Sequence, residues 1–446
     1  MNNEQLIISP PRPSPLTPHP SPLTPIWQML RSVIIPHRWK SWLASWHQVD
    51  WFLFALCAGV TLFGGVMIRS TELNQGITDW FGHWLFGGIG LAIALLISRF
   101  RYEYLIKWHW IIYAITNLSL IAVMVTGTSA KGAQRWIGIA GFNLQPSEFA
   151  KLGVIITLAA LLHNQTAAKI PNVVRALLIT AVPWALVFLQ PDLGTSLVFG
   201  AITLGMLYWG NAHPGWLVLL VSPIISIILF NLYLPAWLAW ATAMGVIAWL
   251  TLPWKWLGTI GAIALNFLAG ELGQILWGVL KDYQKARLIL FLNPEKDPLG
   301  GGYHLIQSRI AIGSGGMEGR GLYHGTQTQL NFIPEQHTDF IFSAIGEELG
   351  FVGCLVVLFV FWLICLRLVL IAQSAKDNFG SLLTIGVLSM IVFQVIVNIS
   401  MTIGLAPVAG IPLPWISYGR SALLTNFIAI GIVQSVANYR KKGARG

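Results

Sequence analysis

In a chain dominated by apolar residues, the few ionisable side chains beside the apolar runs are where chemistry is to be sought. Glu148 and Lys151 stand three residues apart in Gln145-Pro146-Ser147-Glu148-Phe149-Ala150-Lys151. A helix beginning there sets both on one face, with Pro146 ending the loop and Ser147 placed to cap. On its own this is either a self-neutralising pair or a functional one. Asp192, in Gln190-Pro191-Asp192-Leu193-Gly194-Thr195, has the residue type of a turn or N-cap. Its place on the same side of the chain as Lys151 adds the expectation of a buried Lys151–Asp192 cluster. Pro334-Glu335-Gln336-His337-Thr338-Asp339-Phe340-Ile341-Phe342 enters a further apolar run, followed by Gly346-Glu347-Glu348-Leu349-Gly350. There Thr338 or Asp339 is a plain helix cap, or else a carboxylate at the membrane–water boundary, placed to deprotonate a hydroxyl on a lipid-anchored substrate. Arg135, in Lys131-Gly132-Ala133-Gln134-Arg135-Trp136, is a cation suited to phosphate. The Pro/Gly stretch Gly410 to Arg420 is irregular backbone, tolerated at membrane depth only where protein or a wet cavity covers it. All these groups fall on one side of the expected membrane topology. They describe an outward-facing polar site for an amphiphilic, anionic substrate without naming the reaction.

The elements that must position these residues follow from composition. Of 446 residues, 55% are hydrophobic and only 10% charged, whereas a soluble domain carries about 25% charged. A mean hydropathy of +0.67 argues against a water-soluble enzyme. The net charge of 27 − 17 = +10 is spread in short clusters between apolar runs, which argues for membrane-flanking loops and against a nucleic-acid partner. Cys57, Cys354 and Cys365 lie inside apolar stretches with no metal or disulfide spacing. No cleavable signal peptide is expected, because the first apolar run starts near residue 51.

The reading is an all-α polytopic membrane protein. Residues 1–50 form a cytoplasmic tail, Pro-rich over 1–26 and rich in Trp and basic residues over 27–49, where an interfacial helix is expected. Residues 51–440 form the membrane domain and 441–446 a basic cytoplasmic tail. A span needs about 20 apolar residues. Twelve candidates occur, at 51–69, 80–98, 106–126, 147–163, 174–190, 194–210, 215–233, 236–253, 257–279, 340–366, 381–404 and 420–438. Basic residues in the alternate loops, except the one near His213, place both termini inside and the long loop 281–338 outside. That loop contains Ile306-Gln307-Ser308-Arg309-Ile310-Ala311-Ile312, apolar enough to fold back onto the outer face.

At the same residues the sequence resembles the SEDS family (shape, elongation, division, sporulation), and within it the RodA branch more than the FtsW branch. The resemblance covers roughly residues 50–440. It rests on Lys131–Trp136, Gln145–Lys151, Gln190–Thr195, Asp297-Pro298-Leu299-Gly300 with Gly302-Tyr303-His304, Ala311–Gly316, Pro334–Phe342 and Gly404–Gly419. The resemblance implies a peptidoglycan glycosyltransferase of the bacterial plasma membrane. Such an enzyme polymerises lipid II into glycan strands for elongation and cell shape, alongside a class B penicillin-binding protein and other elongation-complex membrane proteins. Asp339 matches the family's essential carboxylate and is the expected catalytic base. Arg135 and Lys151 are the expected cations on the lipid pyrophosphate leaving group, and Glu148 and Asp192 would orient Lys151. His337 and Ser417 are supporting residues. No cofactor is expected, and a divalent cation on the pyrophosphate is left open. Two features depart from the family pattern: a helical pair over 236–279 beyond the usual ten spans, and Arg420 where a second glycine is expected. Two other readings share these residues, a lipid II flippase and a non-catalytic scaffold of the elongation machinery.

Overall fold

The computed structural model describes residues 49–73, 78–130, 133–139, 142–279 and 302–440, with 285, 290, 291 and 297. The tail expected over 1–50, apart from its last two residues, and the basic tail 441–446 lie outside the described residues, as does most of 280–301.

Twelve long apolar helices are present among the described residues, one for each expected span. They are α1 (Trp51–Glu72), α2 (Asp79–Ile97), α3 (Tyr104–Thr126), α4 (Pro146–Asn164), α5 (Ile170–Leu189), α6 (Leu193–Trp209), α7 (Pro214–Leu232), α8 (Leu234–Thr251), α9 (Lys255–Val279), α12 (Ile341–Gln373), α13 (Asn378–Thr402) and α14 (Arg420–Asn438). Two shorter helices, α10 (Tyr303–Gly315) and α11 (Thr326–Gln329), lie in the long loop. Eleven of the twelve are long and apolar enough to cross a membrane, and α6 is an apolar helix slightly shorter. The chain is a multi-pass membrane protein.

Burial sorts the helices. In α4 and α14, 83% and 78% of the most apolar window is buried, against 17% in α3 and in α7, so α4 and α14 form the centre and α3 and α7 the lipid-facing rim. Between apolar helices in lipid, association depends on close packing and hydrogen bonds, because lipid tails are as apolar as leucine. Both devices are present. Gly90 lets α2 approach Phe427 of α14, Thr180 and Thr203 share a 2.8 Å hydroxyl bond between α5 and α6, and Asp50 exchanges backbone bonds with the Gln434 amide. The expected extra pair, α8 and α9, packs on itself and on α7, and this group joins the rest chiefly where α7 meets α6. Inside it Trp237 donates to Ser226, Ser226 to the Asn266 carbonyl, and the Asn266 amide to Ser222.

The connection after α3, which carries Arg135, contains strands. It forms β1 (Thr128–Ala130), β2 (Ala133–Ile139) and β3 (Phe142–Leu144), an antiparallel meander in the order β1-β2-β3 with a register shift between Thr128 and Ser129. It packs over the ends of α3 and α4 and touches α14. β1 and β3 are only 3 residues long, and the 7 residues of β2, Ala133-Gln134-Arg135-Trp136-Ile137-Gly138-Ile139, do not alternate strictly between polar and apolar.

The apolar run in the long loop does fold back, as α10 against α12. Ala311, Ile333 and Phe340 form a small core there, with Val408 packed on it. The loop also completes a break in α12. Gly350 sits at φ 65 inside that helix. The Glu347 and Glu348 carbonyls accept from the amides of Arg320 and Gly321, while the Phe351 and Val352 amides donate to Gly316 and Met317. Four backbone groups beside the kink thus find partners in the loop. A Cβ on Gly350 would lie 2.3 Å from the Gly319 nitrogen. Gly350→Ala is therefore expected to cost at least about 1–3 kcal/mol, read as a lower thermal midpoint of the purified protein. An unchanged midpoint would mean that neither the kink nor its close approach is required.

Candidate active site

The expected site residues gather at one end of the bundle. At the start of α4, Pro146 occupies the first helical position and Gln145 the N-cap, so Ser147 does not cap; it is buried in the first turn. Lys151 donates to Glu148 Oε2 at 2.7 Å, and the two residues are only 1% and 3% exposed. The pair is deeply buried and self-neutralising.

The Lys151–Asp192 cluster is not formed. Asp192 instead caps α6, accepting from the Thr195 amide and hydroxyl, and it also accepts from the Gln145 side chain at 3.3 Å. Its cation is Arg135, 3.7 Å away, whose guanidinium also donates to the Gln190 and Pro191 carbonyls. Arg135 therefore pins β2 to the turn between α5 and α6. The shared side read from the chain order was right, but the lysine one turn into α4 already has Glu148 beside it.

Neither Thr338 nor Asp339 caps α12; Phe340 takes that position without a side-chain bond. The reason is a tight turn over 335–340. Glu335, at φ 55, accepts from the amides of Thr338 and Phe340, and Phe340 stacks on His304. Asp339 is left half-buried just ahead of the helix, where the helix dipole favours negative charge. Its backbone is fixed by Asn398, whose side-chain amide donates to the Asp339 carbonyl at 3.0 Å and to the Ile411 carbonyl at 2.8 Å.

Residues 403–419 join these groups. Ser417 is 4% exposed, and its hydroxyl accepts from the Leu413 amide at 2.8 Å, so it braces the segment's own turn. Tyr418 donates its amide to the His337 carbonyl, and the two rings lie 5.9 Å apart. Burial, the charge of Asp79 and a hydrogen bond to it push the Tyr418 phenol up to about 12, so it stays a neutral hydroxyl at ordinary pH. At the other edge Gly194, two residues after Asp192, meets Ala409; a Cβ there would fall 2.2 Å from the Ala409 carbonyl oxygen. Ser421 accepts from the Gln145 amide, closing the ring of contacts back to α4.

Asp339 with His337, and Arg135 with Asp192 and Gln145, thus flank one backbone segment, with the Glu148–Lys151 pair buried one turn below Gln145. The arrangement offers a half-buried carboxylate, ion-paired cations and amide-lined irregular backbone. Among the described residues no three His, Cys, Asp or Glu side chains are grouped to hold a metal ion. Reading the residues alone missed Asn398 and Asp79. Asn398 had a signal: with Gln394 it puts two amides on one face of an otherwise apolar helix, and both are buried.

Comparison with known proteins agrees with this architecture. A family profile described as cell cycle protein, covering FtsW, RodA and SpoVE, matches residues 47–239 and 215–442. The peptidoglycan glycosyltransferase MrdB of Escherichia coli is 38% identical over 355 residues, 79% of this chain and 84% of that protein. The peptidoglycan glycosyltransferase RodA of Treponema pallidum is 34% identical over 423 residues, 87% of this chain and 97% of that one. A chain solved in work on the structural coordination of polymerization and crosslinking by a peptidoglycan synthase complex superposes with a TM-score of 0.68. It has 29% identity and covers 89% of this chain and 100% of that one. The RodA crystal structure from Thermus thermophilus gives a TM-score of 0.59 at 25% identity. By sequence over nearly its whole membrane domain and by fold, the chain belongs to the FtsW/RodA/SpoVE family.

Proposed function

We infer that the protein is a peptidoglycan glycosyltransferase that polymerises lipid II for cell elongation and shape, with Asp339 as its catalytic base. The observation that carries this reading is the Asp339 carboxylate. It is half-buried at the mouth of α12, backbone-fixed by Asn398, and edged by the irregular 403–419 segment, in a chain of this family. In the proposed reaction, Asp339 accepts the proton of the acceptor sugar's hydroxyl as that oxygen attacks the anomeric carbon of the lipid-linked strand. The bond to the lipid pyrophosphate breaks with inversion, and the pyrophosphate leaves without needing a proton. Arg135 and Lys151 add positive potential from within their ion pairs, and Glu148 holds Lys151 in place. His337 and Ser417 shape the backbone on either side of the base. In this reading the site end faces the outside of the plasma membrane and both termini face the cytoplasm, which the basic residues of the alternate loops support. A class B penicillin-binding protein is the proposed partner, in keeping with the solved synthase complex that the fold matches.

The test is reconstitution of the purified protein in liposomes with fluorescent lipid II. Glycan ladders on a gel support the enzyme. Leaflet exchange of the lipid without polymer would point instead to a transporter, and rescue of cells by an Asp339→Ala protein would point to a scaffold. Within this reading Asn398→Ala removes the amide that fixes the base's backbone. It is expected to lower kcat by roughly 10- to 100-fold with a small change in KM, since a displacement of about 1 Å suffices for that. An unchanged kcat would show that Asn398 does not position the base.

A further inference from the structure

Arg420 opens α14 immediately after the catalytic segment, and the reaction as derived makes no use of it. Its guanidinium is held on three sides. The Nε donates to the Tyr418 hydroxyl at 2.8 Å, the group lies over the Phe86 ring at 5.5 Å and the Tyr418 ring at 5.8 Å, and Asp79 is 4.0 Å from Nη2. These contacts fix the plane of the fork, and the Asp79 contact is long for an ion pair. Yet 35% of the side chain remains exposed, where Arg135 shows 25% and Lys151 only 1%. Of these three cations Arg420 is the most open. It is also tied to the base, because Tyr418, whose hydroxyl takes the Nε bond, gives its amide to His337, two residues from Asp339.

A planar guanidinium already oriented by stacking binds phosphate oxygens through two parallel bonds at little entropic cost. We propose that Arg420, framed by Tyr418, Phe86 and Asp79, is a phosphate subsite of the active site, taking up a pyrophosphate or phosphodiester group at the membrane boundary. The inference deepens the glycosyltransferase reading and rests on it. Asp79 and Tyr418 act on the substrate only through Arg420, as positioning residues. Two sources share this chemistry: the pyrophosphate of the lipid-linked sugar and the headgroup of a bilayer phospholipid.

The experiment measures KM and kcat for lipid II with the full-length protein, in phospholipid-free maltoside micelles and in nanodiscs containing phosphatidylglycerol. Arg420→Gln is expected to raise KM roughly tenfold, the worth of one charge-assisted bond pair. A KM increase in both media assigns the phosphate to the substrate, and an increase in the nanodiscs alone assigns it to a headgroup. Unchanged KM in both media, with or without a lower thermal midpoint, would reduce Arg420 to a clamp between α2 and α14 and overturn the subsite. If Arg420→Gln does not fold, Arg420→Lys decides, because it keeps the charge and loses the fork. A raised KM in that variant supports the subsite and a native KM overturns it. Inorganic pyrophosphate provides a readout without turnover: it is expected to raise the thermal midpoint of the native protein and not that of Arg420→Gln. That arm reports on the subsite even if the native protein makes no polymer, a result that would sink the glycosyltransferase reading alone.

Discussion

Asp339→Ala is expected to lower the rate of glycan synthesis by at least about 10²–10⁴-fold, the usual contribution of a positioned general base, while lipid II binding stays measurable. The fold should survive. Asp339 is half-buried rather than core, it does not cap α12, and the Asn398 bond to its backbone carbonyl does not depend on its side chain. A loss of activity with an unchanged thermal midpoint therefore separates a chemical role from a structural one. Asp339→Asn sharpens the comparison, because it keeps the size and the hydrogen-bonding capacity and removes the basicity. Polymer formation at the native rate by either variant, on the same fluorescent-lipid gel, would refute the assignment.

Lys151→Ala is expected to give the largest effect on stability. The Nζ–Oε2 contact of 2.7 Å to Glu148 lies in the most buried helix of the bundle, and both residues are almost wholly enclosed. Removing one member leaves the other as an uncompensated buried charge, which costs about 3–5 kcal/mol. The variant should insert in the membrane, since α4 is no less apolar, but melt at a much lower temperature and synthesise little glycan. The double variant Glu148→Gln with Lys151→Met removes both charges together. It is expected to recover most of the midpoint, because a buried ion pair is often neutral in stability relative to an apolar replacement. Recovery of the midpoint without recovery of synthesis would mean that the lysine's charge matters to the reaction. Recovery of both would confine the pair to packing. A native midpoint in Lys151→Ala would show that the pair is not buried as described.

The two residue pairs illustrate how much of the site could be read beforehand. Glu148 and Lys151 meet because helical geometry sets positions three apart on one face, a local rule that holds wherever α4 lies. Asp192 as a cap is likewise local. Its partner is not. Arg135 reaches it across more than fifty residues because an unforeseen β-meander carries that arginine to the turn between α5 and α6. Asn398 reaching Asp339, Gly194 admitting Ala409, and the loop amides that satisfy the kink at Gly350 are of the same kind. Each depends on two segments far apart in the chain being brought to the same depth.

From residue order alone came the membrane class, the twelve helices to within four residues except at the far end of α12, which runs on to Gln373, the shared side of the polar groups, and the resemblance that names Asp339. Hydrophobic length and charge placement are properties of single segments, and a membrane enforces them one segment at a time. What only the folded molecule decided was which charge meets which. It paired Arg135 rather than Lys151 with Asp192, set α7 to α9 apart as a group of their own, and left Arg420 partly exposed beside residues 403–419. In a low-dielectric bundle a few ångströms separate a strong ion pair from none, and that spacing is fixed by how helices and loops pack, not by their order along the chain.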